Sequence, residues 1–197
     1  MTLQNRVQPT GEILAHPARG RFMGNRGILH DTKELTHRRW RHKAWVCCVL
    51  NFKGRRRTLM SPGRYTELFF HDEAVALAAG HRPCGECRRS DYTSFLAAAG
   101  HTGPIAAFDA KLHAARAIPR RYTQRRHMTE AATLPDGTFI LHDTGPALLW
   151  QDALLPFHPS GYGAPQCRPN GQVTVLTPEP TLAALRAGYI PDVAGSP

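Results

Sequence analysis

FFHDEAVALAAGHRPCGECRR, residues 69–89, is the most informative stretch of the chain. Asp72 is a short polar side chain placed to accept from the free amides of a helix start, and Gly80 can take the left-handed conformation that ends a helix. The spacing predicts a short helix over residues 72–79. Pro83 and Cys84 then open a second helix reaching residue 99, stopped by Gly100. Two thiols three residues apart at a helix start can face one ion, and the helix-start amides favour the thiolate. Four readings fit Cys84 and Cys87. They are half of a zinc site, a redox dithiol, part of a zinc deaminase, or ordinary structural cysteines. A thioredoxin-like dithiol follows a buried strand, whereas here a helix and Gly80-His81-Arg82 come first. A deaminase pairs His-x-Glu with Pro-Cys-x-x-Cys. His71-Asp72-Glu73 and Pro83-Cys84 supply both halves, but the interval is too short for the helix and strand that belong between them. Spacing and an odd count of 5 cysteines, which argues against a disulfide framework, favour zinc.

Upstream, residues 44–52, AWVCCVLNF, are continuously apolar and read as a buried strand. Lys53, Gly54, Arg55, Arg56 and Arg57 read as a basic hairpin tip, with returning strands over residues 58–61 and 65–70. Cys47 and Cys48 are the other candidate metal ligands. Neighbouring strand residues point to opposite faces, so one of the two can join Cys84 and Cys87, and His42, His71 or His81 would complete the set.

Residues 69–89 resemble the zinc-binding domain of the Ada-type DNA methylphosphotriester repair proteins. In that family an aromatic strand leads to a Glu-Ala-rich helix and then to Ala-Gly-aromatic-Arg-Pro-Cys-x-x-Cys. Phe69, Phe70, Glu73, Ala74, Ala79, Gly80, Arg82, Pro83, Cys84 and Cys87 carry the likeness, over about twenty residues. The resemblance implies a zinc site and a role in DNA maintenance or repair. The family's upstream Cys-x-x-x-Cys pair is missing here, where only adjacent Cys47 and Cys48 stand. That departure argues against methyl transfer to a cysteine.

Downstream, a third helix runs from Pro104 to before Pro119. Asp109 and His113 are four apart on it and share a face. A carboxylate beside an imidazole can orient a general base, but no nucleophile accompanies the pair, so it reads as structural and only a weak catalytic candidate. Strands follow near residues 138–142, 147–150 and 173–177, and a last helix over residues 180–187. Residues 1–30 are a glycine- and proline-punctuated lead-in. Their run RGRFMGNRG, residues 19–27, reads as a surface loop rather than an anion-holding one. The expected fold class is α+β, a zinc-type β-hairpin plus helices with a β-rich C-terminal part. The expected organisation is a lead-in (1–30), a basic hairpin with the Cys-x-x-Cys site and helices (31–130), and the β-rich part (131–197), all within one domain or nearly so.

The 197 residues carry a formal charge of +10, with 25 Lys and Arg against 15 Asp and Glu. A field of this sign attracts polyanions, nucleic acid first, then an anionic membrane surface, an acidic protein or a small acidic substrate. Arg38, Arg39, Trp40, Arg41 and Lys43 precede the first strand. Lys53, Arg55, Arg56 and Arg57 form the tip, and Arg88 and Arg89 follow the thiols. Arginines interleaved with an aromatic suit a nucleic-acid face, with Trp40 stacking on a base. The N-terminus has no apolar signal core, and no apolar run approaches the ~20 residues of a membrane span. The expectation is a cytoplasmic, zinc-stabilised nucleic-acid-binding protein with access to the nucleoid, DNA being a better partner than RNA and no membrane involved. The alternatives are an enzyme, either a nuclease or a base-modifying hydrolase, and a module binding an acidic protein.

Overall fold

Alternation along short strands builds two large sheets, with two-stranded pairs within residues 30–35 and 117–124 beside them, and one fully buried helix joins the large ones. The computed structural model describes residues 2–56, 58–143 and 145–195. In chain order the elements are β1 (Gln4–Val7), β2 (Ile13–Ala15), β3 (Phe22–Asn25), β4 (His30–Asp31), β5 (Glu34–Leu35), β6 (Val46–Val49), β7 (Leu68–Phe70), α1 (Glu73–Ala78), β8 (Arg82–Pro83), α2 (Arg89–Ala98) and α3 (Ile105–Arg116). Then come β9 (Ala117–Ile118), β10 (Thr123–Gln124), β11 (His127–Glu130), a 3-10 turn (Ala131–Thr133), β12 (Thr138–His142), β13 (Gly145–Trp150), β14 (Ala153–His158), β15 (Gly161–Tyr162), β16 (Gln166–Cys167), β17 (Gln172–Val175) and α4 (Glu179–Arg186). The class is α+β, as expected.

The first sheet has the order β2-β1-β7-β3-β6-β8, mostly antiparallel, with β1–β7 and β6–β8 parallel. The second has the order β11-β17-β12-β13-β14-β15, with β16 also on β14. Strand alternation divides the second sheet cleanly. Phe139, Leu148 and Phe157 pack with Phe22, Leu68, Phe70 and α1 of the first sheet. Ile140, Leu149 and Leu154 face the other way, onto Phe95, Leu112 and Leu182 of α2, α3 and α4. All six residues of α1 are buried, because the helix lies between the sheets. Asp72 caps it, accepting from the Val75 amide at 2.9 Å, and Gly80 closes it at φ +83°.

Three expectations need correction. The basic hairpin does not form. β6 and β7 do not pair; β3 lies between them, with Gly24 opposite both Cys47 and Leu68. The strand that intervenes comes from the glycine-rich run assigned to a loop-rich lead-in. Its apolar alternation is hidden because one inward position is Gly24. A Cβ there would sit 2.1 Å from the Val46 carbonyl oxygen and 2.9 Å from the Phe70 ring. Finally, Pro83 belongs to β8 rather than to a helix, and residues 84–87 form a turn ahead of α2. Proline lacks the amide a helix interior needs, but it is tolerated on an edge strand such as β8.

Candidate metal centre

The β3–β6 register decides which cysteine meets the Cys-x-x-Cys turn. Cys47 points inward and is fully buried in the core, with an Arg88 guanidinium N–H 3.5 Å from its sulfur. Cys48 points to the outer face. β8 pairs with β6, and the Cys84 amide bonds the Cys47 carbonyl at 3.0 Å, which draws the turn over that face. The sulfurs of Cys48, Cys84 and Cys87 all lie within 4.8 Å of one another, and each residue is half-buried. Three thiolates on one tetrahedral zinc at the usual 2.3 Å stand about 3.8 Å apart, so small movements would close them on an ion. Cys47 is therefore not part of the cluster, and Cys48 is.

Polar surroundings prepare these sulfurs unequally. A hydrogen bond from the Cys48 thiol, backed by the Cys87 and Glu86 backbone amides, holds Cys84 down to about 5 although burial opposes it. The Glu86 amide lies 3.4 Å from that sulfur. Cys48 is pushed up by the same bond and by burial, and burial raises Cys87. One thiolate with two adjacent thiols is a set that a divalent cation would deprotonate on binding.

No histidine completes the cluster among the described residues. His81 is fully buried on the inner side, with Nε2 accepting from Arg26 at 3.0 Å and Nδ1 donating to the Val46 carbonyl at 3.0 Å. His71 packs against Phe157 and Tyr162. His42 bonds to Asn25, at 3.2 Å, away from the thiols. Three thiols instead open onto a cavity of about 630 Å³ on the outer face, lined also by Phe52, Tyr65, Glu67, Phe69, Arg55 and Arg56. Glu67 is the residue of this cavity that the sequence reading missed. It is 2 % exposed; one carboxylate oxygen accepts from the Met60 amide at 2.8 Å and the other has no hydrogen-bond partner among the described residues. A period-two reading from Phe69 would have put it on the outer face with Cys48.

The basic residues separate. Arg55 and Arg56 line the thiol cavity, Arg55 pairing with Glu86 at 2.7 Å, and Lys53 lies over the Phe52 ring. Arg57 falls outside the described residues. Arg39 and Trp40 line a different cavity, beside Trp45 and Tyr122, so the two basic runs do not share one pocket. Arg38, Arg41 and Lys43 are exposed along the same segment, and Arg89 is exposed on α2. Arg88 is no surface residue: it is buried, bonded to Glu73 at 2.8 Å and Asp91 at 2.8 Å. Trp40 is half-buried with its ring 4.9 Å from Tyr122 and 5.6 Å from His113.

Asp109 and His113 do not form a dyad. Both Asp109 oxygens accept from Arg82, at 2.7 and 2.8 Å, in a buried bidentate pair. His113 lies edge-on to Trp40 and Trp45, with Nδ1 3.3 Å from Arg116. Burial, then Arg116 and Lys43, hold it down to about 4, so it is neutral at pH 7. No helix is long and apolar enough to cross a membrane among the described residues. No protein-family model, curated protein or solved structure matches the chain.

Proposed function

We propose that this is a zinc-thiolate protein acting on nucleic acid, with its metal facing the bound strand. The observation that carries the reading is the three-thiol cluster opening onto a cavity edged by Arg55 and Arg56. Zinc suits three thiolates better than magnesium or calcium, which prefer oxygen ligands. A purely structural zinc closes its site with four protein ligands, whereas three leave a position for water or a substrate atom. The net charge of +10 and the exposed arginines would supply phosphate contacts. The likeness of residues 69–89 to the Ada-type zinc domain supports DNA over RNA and a place in DNA maintenance or repair.

A second reading, a hydrolase, is favoured by Glu67. A buried carboxylate oxygen with no partner, in the same cavity as the thiols, is the kind of group that accepts a proton from an attacking water. A metal-dependent nuclease or a zinc-dependent base hydrolase would use this pairing of metal and base.

Cobalt substitution tests the centre. The cobalt-loaded protein should show sulfur-to-metal charge-transfer bands, with d–d bands that shift on adding azide or imidazole because the fourth position exchanges. A protein purified without chelator that holds no metal, and that takes up none, would sink the zinc reading. Fluorescence anisotropy over a salt series tests the partner. Lys53→Ala, Arg55→Ala and Arg56→Ala together should flatten the slope of log K against log salt by up to about 2.7 on duplex DNA. Absence of binding at low salt would reject nucleic acid.

A further inference from the structure

On the inner side of the β3–β6 pair, two arginines are buried with no carboxylate to balance them. Arg26 is 1 % exposed and Arg116 2 % exposed, and neither forms an ion pair among the described residues. Their guanidinium groups lie over the Trp45 ring, at 4.2 and 3.7 Å from its centroid. Asp109, the acid whose charge reaches Arg116, is engaged through both oxygens by Arg82. Backbone carbonyls absorb part of their donor capacity: Gly11 for Arg26 at 3.1 Å, Gly80 and Lys43 for Arg116. Arg26 Nη2 and Arg116 Nε remain without hydrogen-bond partners among the described residues. Burial first, then Arg39 beside Arg26 and Arg26 beside Arg116, holds both guanidinium groups below their ordinary value, Arg26 down to about 9, which still leaves Arg26 charged at pH 7. Two like charges so placed destabilise the fold unless something neutralises them.

Both arginines line a cavity of about 440 Å³. Arg39 and Arg126 add two further cations to its wall, and Trp40 and Tyr122 add aromatic faces. Glu12, the single carboxylate lining it among the described residues, is exposed and accepts from Thr10. Gln124 fixes its amide nitrogen on the carbonyls of Pro9, Ala78 and Leu176, which leaves its buried Oε1 as an unpartnered acceptor. The lining therefore offers guanidinium donors for an anion, a lone acceptor for a hydroxyl or amino group, and aromatic rings.

The geometry points to a nucleotide-phosphate site: the cavity takes a phosphomonoester joined to a sugar and base, either a free mononucleotide or the phosphorylated end of a strand. Guanidinium groups match phosphate oxygens bidentately. A ribose hydroxyl or base amine fits Gln124, and a base can stack on the aromatic faces. The volume lies in the range of small-ligand pockets. This site is separate from the thiol cavity and does not rest on the metal reading.

Tryptophan fluorescence tests it, since Trp40 and Trp45 both line the cavity. AMP should quench the emission saturably, with adenosine at least about tenfold weaker for want of the phosphate. Arg39→Ala and Arg126→Ala, on the less buried part of the wall, should each weaken AMP about tenfold while leaving the urea midpoint unchanged. Competition then separates the sources. A 5′-phosphorylated oligonucleotide that displaces AMP while its 5′-hydroxyl twin does not assigns a strand end, and failure of both assigns the free nucleotide. Equal affinity for AMP and adenosine, no quenching at millimolar AMP, or AMP affinity unaltered in both variants would each overturn the proposal. Metal content is not read in any arm, so its outcome is distinct from that of the zinc centre.

Discussion

The two cavities beside β3 and β6 are built from neighbours in the chain yet suit opposite charges. Asn25, Val46 and Cys48 line the outer one; Arg26 and Trp45 line the inner one. One step along an extended chain reverses the side-chain direction. The same strand pair thus offers soft anionic ligands for a cation on one side and uncompensated guanidinium groups on the other. Side-chain type alone would not separate them. Arg82 and Arg88 are buried too, but each has a carboxylate within 2.8 Å. Paired arginines hold the fold; unpaired ones leave a demand for an anion.

The sharpest way to break this comparison is to unpair Arg82. Asp109→Ala leaves that guanidinium buried and alone, and should cost about 3–5 kcal/mol in urea unfolding. Arg26→Met removes a buried charge that has no carboxylate, and should change stability by less than about 1 kcal/mol. Similar losses in the two variants would show that Arg26 is as structural as Arg82.

Acid gives the next largest effect. His81, buried and beside Arg26, lies well below its ordinary value, and His113 is held down to about 4. Both pKa values are lowered by folding, so below about 6.5 the unfolded chain binds more protons than the folded one. Stability from this source is present above that pH and is lost as pH falls toward the folded values. His113 is half-exposed and counts for about half. These two imidazoles should therefore contribute about 2 kcal/mol less stability at pH 5.5 than at pH 7.5, read in urea unfolding as the difference between the parent protein and a His81→Gln, His113→Gln double variant. Replacing His81 alone by Gln should remove most of that dependence. The same difference at both pH values would mean that both imidazoles charge freely in the folded state.

The two adjacent cysteines sharpen the comparison of faces. Cys48→Ser should lower bound zinc to a small fraction of one equivalent, whereas Cys47→Ser should retain it and cost about 1 kcal/mol through loss of a buried apolar contact. Elemental analysis and urea unfolding of both variants separate ligand from core. Loss of metal in the Cys47 variant alone would reverse the assignment of the two faces. Smallest of all, Arg55→Ala breaks only an exposed ion pair with Glu86. Its melting temperature should match the parent protein, because solvent screens such pairs.

Local chemistry was enough to read several parts of the molecule from the sequence. The α1 helix with its Asp72 cap and Gly80 stop, the helix after Pro104, the strand over residues 138–142 and the α+β class each rest on neighbours a few residues apart. So does the choice between Cys47 and Cys48: alternation says that one faces away, though not which one. Three things lay beyond that reach. β3 separates β6 from β7 because residues 22–25 pair with both, a contact between residues 21 to 48 apart in the chain that Gly24 helps to permit and composition disguises. Arg82 rather than His113 takes Asp109, and Arg88 turns into the core, because helices 27 and 15 residues removed in sequence bring those carboxylates within reach. The thiol cluster and the arginine cavity arise only when β8 docks on β6 and α3 closes over Trp45. Pattern and propensity act between near neighbours, whereas a site is a meeting of distant ones, and burial decides there which charges find partners.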